Sequence, residues 1–329
     1  MCDYMGEINL SKYSIHTDLI IEDNKVISDE CVIDNITINE TKSNGNYITI
    51  SFDDITDYKN LEKVGHILEK ELDKLLKLNN IKKNDSALII GLGNRKSTPD
   101  SLGNRVINQI VVTKHLFKLG GCSSDYRCVS AFCPGVMADT GMETKDIITS
   151  IIDKDKPKFV IIIDALSSLS IERINKTIQL TDTGIHPGAG VGNNREELNK
   201  NNLGIPIIAI GVPTVVSAST IVIDTINYLM KHISFIKDND SINKLSFYRK
   251  NYLDKIRDKK LSSEEINNLF GLFGGLNDDE KISLINEVLF NIDLNLIVTP
   301  SEIDFLIDKL SYLIATSINN TLHRQIFHY

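Results

Sequence analysis

Apolar positions Val64, Leu68, Leu72, Leu75 and Leu76 recur at helical spacing after Leu61, with Lys and Glu between them. That stripe predicts an amphipathic helix packed on a core. It leads into short runs that are apolar throughout. Ala87-Leu88-Ile89-Ile90-Gly91-Leu92, Phe159-Val160-Ile161-Ile162-Ile163 and Pro206-Ile207-Ile208-Ala209-Ile210-Gly211 are bounded by glycine or polar residues. Runs of this length without alternation read as strands covered on both faces, the condition of a parallel sheet between helices. A further strand is predicted near 128–133, with helices at about 103–119 and 143–153. Another helix follows residue 211 and carries Ile221, Val222, Thr225, Ile226 and Leu229 on one side. Alternating strands and helices predict an α/β fold with a mainly parallel sheet flanked by helices.

The two ends depart from that rhythm. Residues 1–18 are polar, lack a helical stripe and read as a loosely held arm. Residues 19–55 contain β-prone runs, Val32-Ile33 and Tyr47-Ile48-Thr49-Ile50, cut by Asn and Asp turn formers. These predict extra β segments ahead of the main core. Beyond about residue 236 the chain turns rich in Lys, Asn and Asp, then returns to helical patterns at Glu264 to Phe270 and Asp278 to Phe290. A last helix is expected from Ser301, an N-cap candidate after Pro300, with Ile303, Leu306, Leu310 and Leu313 on one face. No long Pro/Gly/Ser linker intervenes, so residues 19–329 are expected to form one α/β domain, with a core at about 60–235 and a helical part at about 236–329.

Composition narrows the class. A chain of 329 residues with 42% hydrophobic and 24% charged positions is an ordinary globular protein able to bury a large core. A formal net charge of −8 argues against a surface built to hold phosphate backbones and suits a basic partner better. The sequence has no apolar stretch of bilayer length, and its start lacks a basic region followed by an apolar one, so a cytoplasmic protein that does not bind membrane is expected. Cys2, Cys31, Cys122, Cys128 and Cys133 lack CxxC spacing, which argues against a disulfide framework and a zinc site. No metal or cofactor is expected.

Two apolar runs lead to an aspartate. The first passes through Gly91-Leu92-Gly93-Asn94 and a turn to Asp100, and the second stops at Asp164. Ligand crevices in open α/β sheets lie at the carboxyl ends of the strands. Two acids delivered there from separate strands suit proton transfer on a water molecule, whereas the plainer reading makes Asp100 a turn residue and Asp164 a strand end. Other candidates are weaker. Cys133 ends a predicted strand, but no histidine adjoins it in sequence. Leu166 to Gly204 is too long for a simple connection. It contains Ser170-Ile171-Glu172-Arg173, with Glu172 and Arg173 either binding substrate or pairing with one another, and His186 in a glycine-rich stretch running to Asn193. That stretch lacks the preceding strand and the Lys-Ser/Thr pair of a phosphate loop. The triplets Asp139-Thr140-Gly141 and Asp182-Thr183-Gly184 invite comparison with pepsin-like proteases, yet they lie close together among helix and loop signals rather than in matching strand contexts.

Read together, Gly91-Leu92-Gly93-Asn94 with Thr98-Pro99-Asp100-Ser101-Leu102-Gly103 resembles the first signature of the spore germination proteases. The similarity continues through Pro134-Gly135-Val136-Met137, Thr140-Gly141-Met142-Glu143-Thr144, Ile163-Asp164-Ala165-Leu166 and Ser170-Ile171-Glu172-Arg173. Thr183-Gly184-Ile185-His186-Pro187-Gly188, Gly190-Val191-Gly192-Asn193 and Leu203-Gly204-Ile205-Pro206 through Gly211-Val212-Pro213-Thr214 complete it. The resemblance implies an atypical aspartic endopeptidase, made as a zymogen in the forespore, that degrades small acid-soluble spore proteins during germination. It also implies a fold like that of the hydrogenase maturation proteases and a homotetramer. Carried onto matching positions, the catalytic pair becomes Asp100 and Asp164. Residues 1–18 resemble the propeptide, with self-cleavage between Asp18 and Leu19. Leu169 and Ser217 stand where the family usually has arginine and aspartate. The alternatives are a metal-dependent maturation protease of the same fold and a binding protein without turnover.

Overall fold

Strands from both halves of the sequence meet in one sheet in the computed structural model, which describes residues 18–22, 28–121, 123–187, 196–238, 256, 258–291, 296–323 and 327–328. The arm up to Thr17 and the glycine-rich stretch from Gly188 to Arg195 lie outside the described residues. The chain divides into two units. The larger comprises His16–Ser168, Glu172–Val215 and Thr299–Tyr329, and the smaller Met1–Ile15, Leu169–Ile171 and Val216–Val298.

The strands are β1 (Ser28–Ile33), β2 (Ile36–Lys42), β3 (Asn46–Ser51), β4 (Ala87–Gly91), β5 (Val129–Phe132), β6 (Phe159–Ser168), β7 (Thr177–Thr181), β8 (Ile207–Ser217) and β9 (Ile297–Val298). Their order is β1-β2-β3-β7-β8-β6-β4-β5. The β4–β5 and β4–β6 pairs are parallel. The expected N-terminal β segments extend the same sheet in antiparallel fashion, through β1–β2, β2–β3 and β3–β7, and β7 pairs antiparallel with β8. Asp34 and Asn35, at φ 51° and 66°, link β1 to β2. Both are residue types that tolerate the left-handed conformation a two-residue hairpin requires.

Helices cover both faces of the parallel part, as the continuous apolar runs demand. On one face Ile89, Ile161, Ile163, Ile208 and Ile210 pack with Leu61, Val64, Leu68 and Leu72 of α1 (Tyr58–Leu78). Ile307, Leu310, Leu313 and Ile314 of the last helix, Ile303–Leu322, join the same cluster. On the other face Leu88, Ile90, Val160 and Ile162 meet Ile148 and Ile152 of the helix Thr144–Asp155. The alternation of odd and even positions between the two clusters follows from the period of two of a strand.

Three boundaries depart from the sequence reading. The expected helix at 103–119 is two short ones, α2 (Leu102–Ile107) and α3 (Lys114–Lys118). Thr113 breaks it, because its N–H donates to Val129 O at 3.0 Å and its hydroxyl oxygen accepts from Val129 N at 3.0 Å. A run of β-branched residues, Ile110-Val111-Val112-Thr113, favours that exchange of helix for strand-like pairing. Secondly, β6 continues through Asp164 to Ser168. Thirdly, the last helix begins at Ile303 with Glu302 at the cap and no side-chain capping bond, so Ser301 is a turn residue instead. Ile303 N donates to Pro300 O at 3.2 Å, closing that turn.

In the smaller unit α4 (Ala218–Asp238) starts at Ser217, whose Oγ accepts from Thr220 N at 3.1 Å. Serine thereby provides the N-cap that an aspartate would provide at the same position. The helices Ser263–Phe270 and Asp278–Asn291 lie in the same unit.

Candidate active site

Asp100 owes its position to a glycine. After β4 the chain turns through Gly93, at φ +94°, and a Cβ there would lie 2.0 Å from the Asp100 carbonyl oxygen. Only glycine accepts both that backbone angle and that approach. The return is made by a short 3-10 helix, Thr98–Asp100, with Pro99 in its first turn. Asp100 Oδ2 then accepts from Asn94 N at 2.8 Å, and the residue is half-buried.

Asp164 comes from the neighbouring strand. Gly91 pairs with Ile163 in the parallel β4–β6 ladder, and Leu92 N continues it by donating to Ile163 O at 2.8 Å. Asp164 follows directly, 6% exposed, with Oδ1 accepting from Ala165 N at 2.9 Å. The 3-10 helix bearing Asp100 lies against β6. Gly103 presses against the same junction, since a Cβ on it would be 2.7 Å from Ile163 O. Two carboxyl groups therefore occupy the C-terminal edge of adjacent parallel strands, one nearly buried and one partly open.

The end of the arm docks on the same strand. Ser167 N donates to Asp18 Oδ2 at 2.9 Å, and Asp18 N approaches Ser167 O at 3.4 Å. Gln179 of β7 donates from Nε2 to Asp18 O at 2.9 Å and accepts at Oε1 from Ile20 N at 2.8 Å. Leu19 between them is 1% exposed. Glu22 ends the 3-10 turn Ile20–Glu22, where its Oε1 accepts from Ser168 Oγ at 2.6 Å and lies 3.4 Å from Arg173 Nε. Arg173 therefore pairs with the segment after the Asp18–Leu19 bond, while Glu172 is exposed in the turn Ile171–Arg173.

The remaining candidates are engaged elsewhere. His186 is exposed and its Nε2 is 3.2 Å from Glu197 Oε1. Asp139 pairs with Lys96 Nζ at 2.8 Å. Asp182 accepts from the backbone and side chain of Asn46, both at 2.7 Å, and from Asn79 Nδ2 at 2.9 Å, so it serves as a structural lock. Burial pushes the Cys133 thiol above its ordinary range, the wrong direction for a thiolate nucleophile. Among the described residues, no group of three His, Cys, Asp or Glu side chains is arranged to hold a metal ion.

Ser167, Gln179 and Glu22 escaped the sequence reading. A signal existed in β7, where Thr177, Gln179 and Thr181 alternate with Ile178 and Leu180 although all five are buried. A strand that buries a polar face has something polar to hold.

Comparison with known proteins identifies the family. The family model described as germination protease matches residues 10–328. The germination protease of Bacillus cytotoxicus is 42% identical, covering 97% of this chain and 96% of its own. Those of Bacillus thuringiensis subsp. konkukian and Bacillus anthracis are likewise 42% identical with the same coverage. Among solved structures, a [NiFe] hydrogenase maturation protease HycI from Thermococcus kodakarensis is similar over 44% of this chain and 80% of its own, at 18% identity and a TM-score of 0.27. The chain belongs to the germination protease family and is a peptidase. Among the described residues, no helix is long and apolar enough to cross a membrane.

Proposed function

We propose that the chain is a self-processing aspartic endopeptidase that cleaves its own Asp18–Leu19 bond and then acid–apolar bonds in small acid-soluble spore proteins. One of Asp100 and Asp164 is ionised and withdraws a proton from water. The other is protonated and donates to the scissile carbonyl oxygen. In this reading the two carboxyl groups share one proton, because carboxylates held close together do not both ionise cheaply. The observation that carries the reading is the docking of Asp18 on Ser167, three residues beyond Asp164 on one strand. An acid in the first position before the bond meets a backbone N–H, and the apolar residue after it is enclosed. The resemblance adds a homotetramer acting in the cytoplasm of the forespore.

Intact-mass measurement during incubation at mildly acidic pH tests the reading. Wild type is expected to lose residues 1–18, while Asp100→Asn and Asp164→Asn remain whole with unchanged melting temperature. Processing that persists in either variant rejects the pair.

A further inference from the structure

Gln179 grips the backbone of the Asp18–Ile20 segment with both halves of its amide. Its strand neighbours Ile178 and Leu180 belong to the core on the α1 side of the sheet, so Gln179 faces the other way. Asp164 takes the same side, since Ile161 and Ile163 point to the α1 core while Val160 and Ile162 point away from it. Between them runs β8, where Gly211 is the cross-strand partner of Gln179. A Cβ on Gly211 would lie 2.3 Å from Leu166 Cδ1, so this position is bare, and Leu166 leans over it. The Asp18–Ile20 segment spans from Ser167 on β6 to Gln179 on β7, across β8.

A primary amide has a donor and an acceptor side by side, and here both are used on one peptide. Nε2 holds the carbonyl of Asp18, and Oε1 holds the N–H of Ile20. The two bonded groups flank Leu19, and the first is the carbonyl of the bond assigned to cleavage. We propose that Gln179 is the main-chain clamp of the substrate groove, holding the same two peptide groups in the arm and in protein substrates. The proposal rests on the self-processing reading above. The clamp reads no side chain. It sets the register in which an extended acidic–apolar peptide is presented, while Ser167 N–H donates to a side-chain oxygen of the residue before the bond. Its donor half also meets the oxygen on which negative charge develops when water adds to the carbonyl.

The test pairs a substrate deletion with a protein deletion. Full-length wild type, Gln179→Met and Gln179→Asn are carried through arm removal and given a peptide of the chain's own residues 15–22, or the same peptide N-methylated at the position of Ile20. With wild type, N-methylation is expected to lower kcat/KM by about tenfold, the scale of one hydrogen bond of about 1.4 kcal/mol. With Gln179→Met, whose side chain has nearly the same length and no amide, the unmodified peptide is expected to suffer at least that loss. N-methylation should then cost it less than about twofold, because the partner is already gone. Gln179→Asn, drawn back by one methylene, should behave like Gln179→Met. Equal N-methylation penalties in all three enzymes, at matched melting temperatures, overturn the clamp. If wild type fails to turn over the unmodified peptide, the endopeptidase reading itself falls, and the clamp with it.

Discussion

At the scale of single residues the site depends on what is missing from two side chains. Gly93 lets the chain leaving β4 approach the Asp100 carbonyl, and Gly103 lets the start of α2 approach Leu92 and the β6 residue Ile163, at distances that a methyl group forbids. Gly93→Ala adds a Cβ against the Asp100 carbonyl at an angle that L residues rarely adopt, so the loop must move. The expected cost is about 1–3 kcal/mol by urea denaturation, together with loss of self-processing. A second residue-level expectation concerns His323. It is 4% exposed, its Nδ1 accepts from Arg127 N at 3.2 Å, and its Nε2 lies 3.2 Å from Val111 O. Burial, followed by the nearby Arg127 charge, lowers its pKa from the ordinary 6.5, even though the bond to Val111 opposes the shift. The imidazole is therefore neutral when folded, while the unfolded chain takes up the proton near pH 6.5. Its contribution to stability is complete above that pH and is lost as pH falls through the lower folded value. Melting temperatures from pH 7.5 to 5 should decline, and His323→Gln should flatten the part of the decline due to this group.

At the scale of elements, β6 and β7 together form the docking surface for residues 18–22. Glu22, Arg173 and Ser168 anchor its far end. Glu22→Gln and Arg173→Ala should each slow loss of the arm severalfold, and the double variant should be no slower than the worse single one, because both remove the same interaction. A time course of intact mass reads this directly. Helix α1 lays its apolar stripe from Leu61 to Leu76 into the larger core. Leu68 and Leu72 on its inner stripe are fully buried, so Leu68→Ala should cost about 2–5 kcal/mol in chemical denaturation. Ser262 and Glu265 form a reciprocal capping box at the start of Ser263–Phe270, a pattern visible as Ser-x-x-Glu. Ser301 presented a similar serine, but the turn closed on Pro300 left it outside the helix. Local spacing does not decide between those outcomes; the turn geometry does.

At the scale of the whole molecule, the two units share the chain unequally, and all the candidate site residues described above belong to the larger. The germination protease match extends across both, so the smaller unit belongs to the family as well. A homotetramer, expected from that resemblance, should give a light-scattering mass about four times the 36.8 kDa of one chain.

The sequence by itself determined the alternation of strands and helices and the two-sided burial of the core strands. Both are written in local composition, because continuous Ile/Val runs leave no solvated face. It did not determine which strands become neighbours. The antiparallel joining of β3 to β7 pairs residues more than a hundred positions apart, and no local pattern encodes such a partner. Only the tertiary structure decided that Asp100 and Asp164 rise from adjacent strands, that β6 runs past Asp164 to offer Ser167, and that Gln179 reaches the arm from across β8. Those are contacts between distant segments, set by how the whole sheet satisfies its backbone hydrogen bonds and buries its two apolar faces at once.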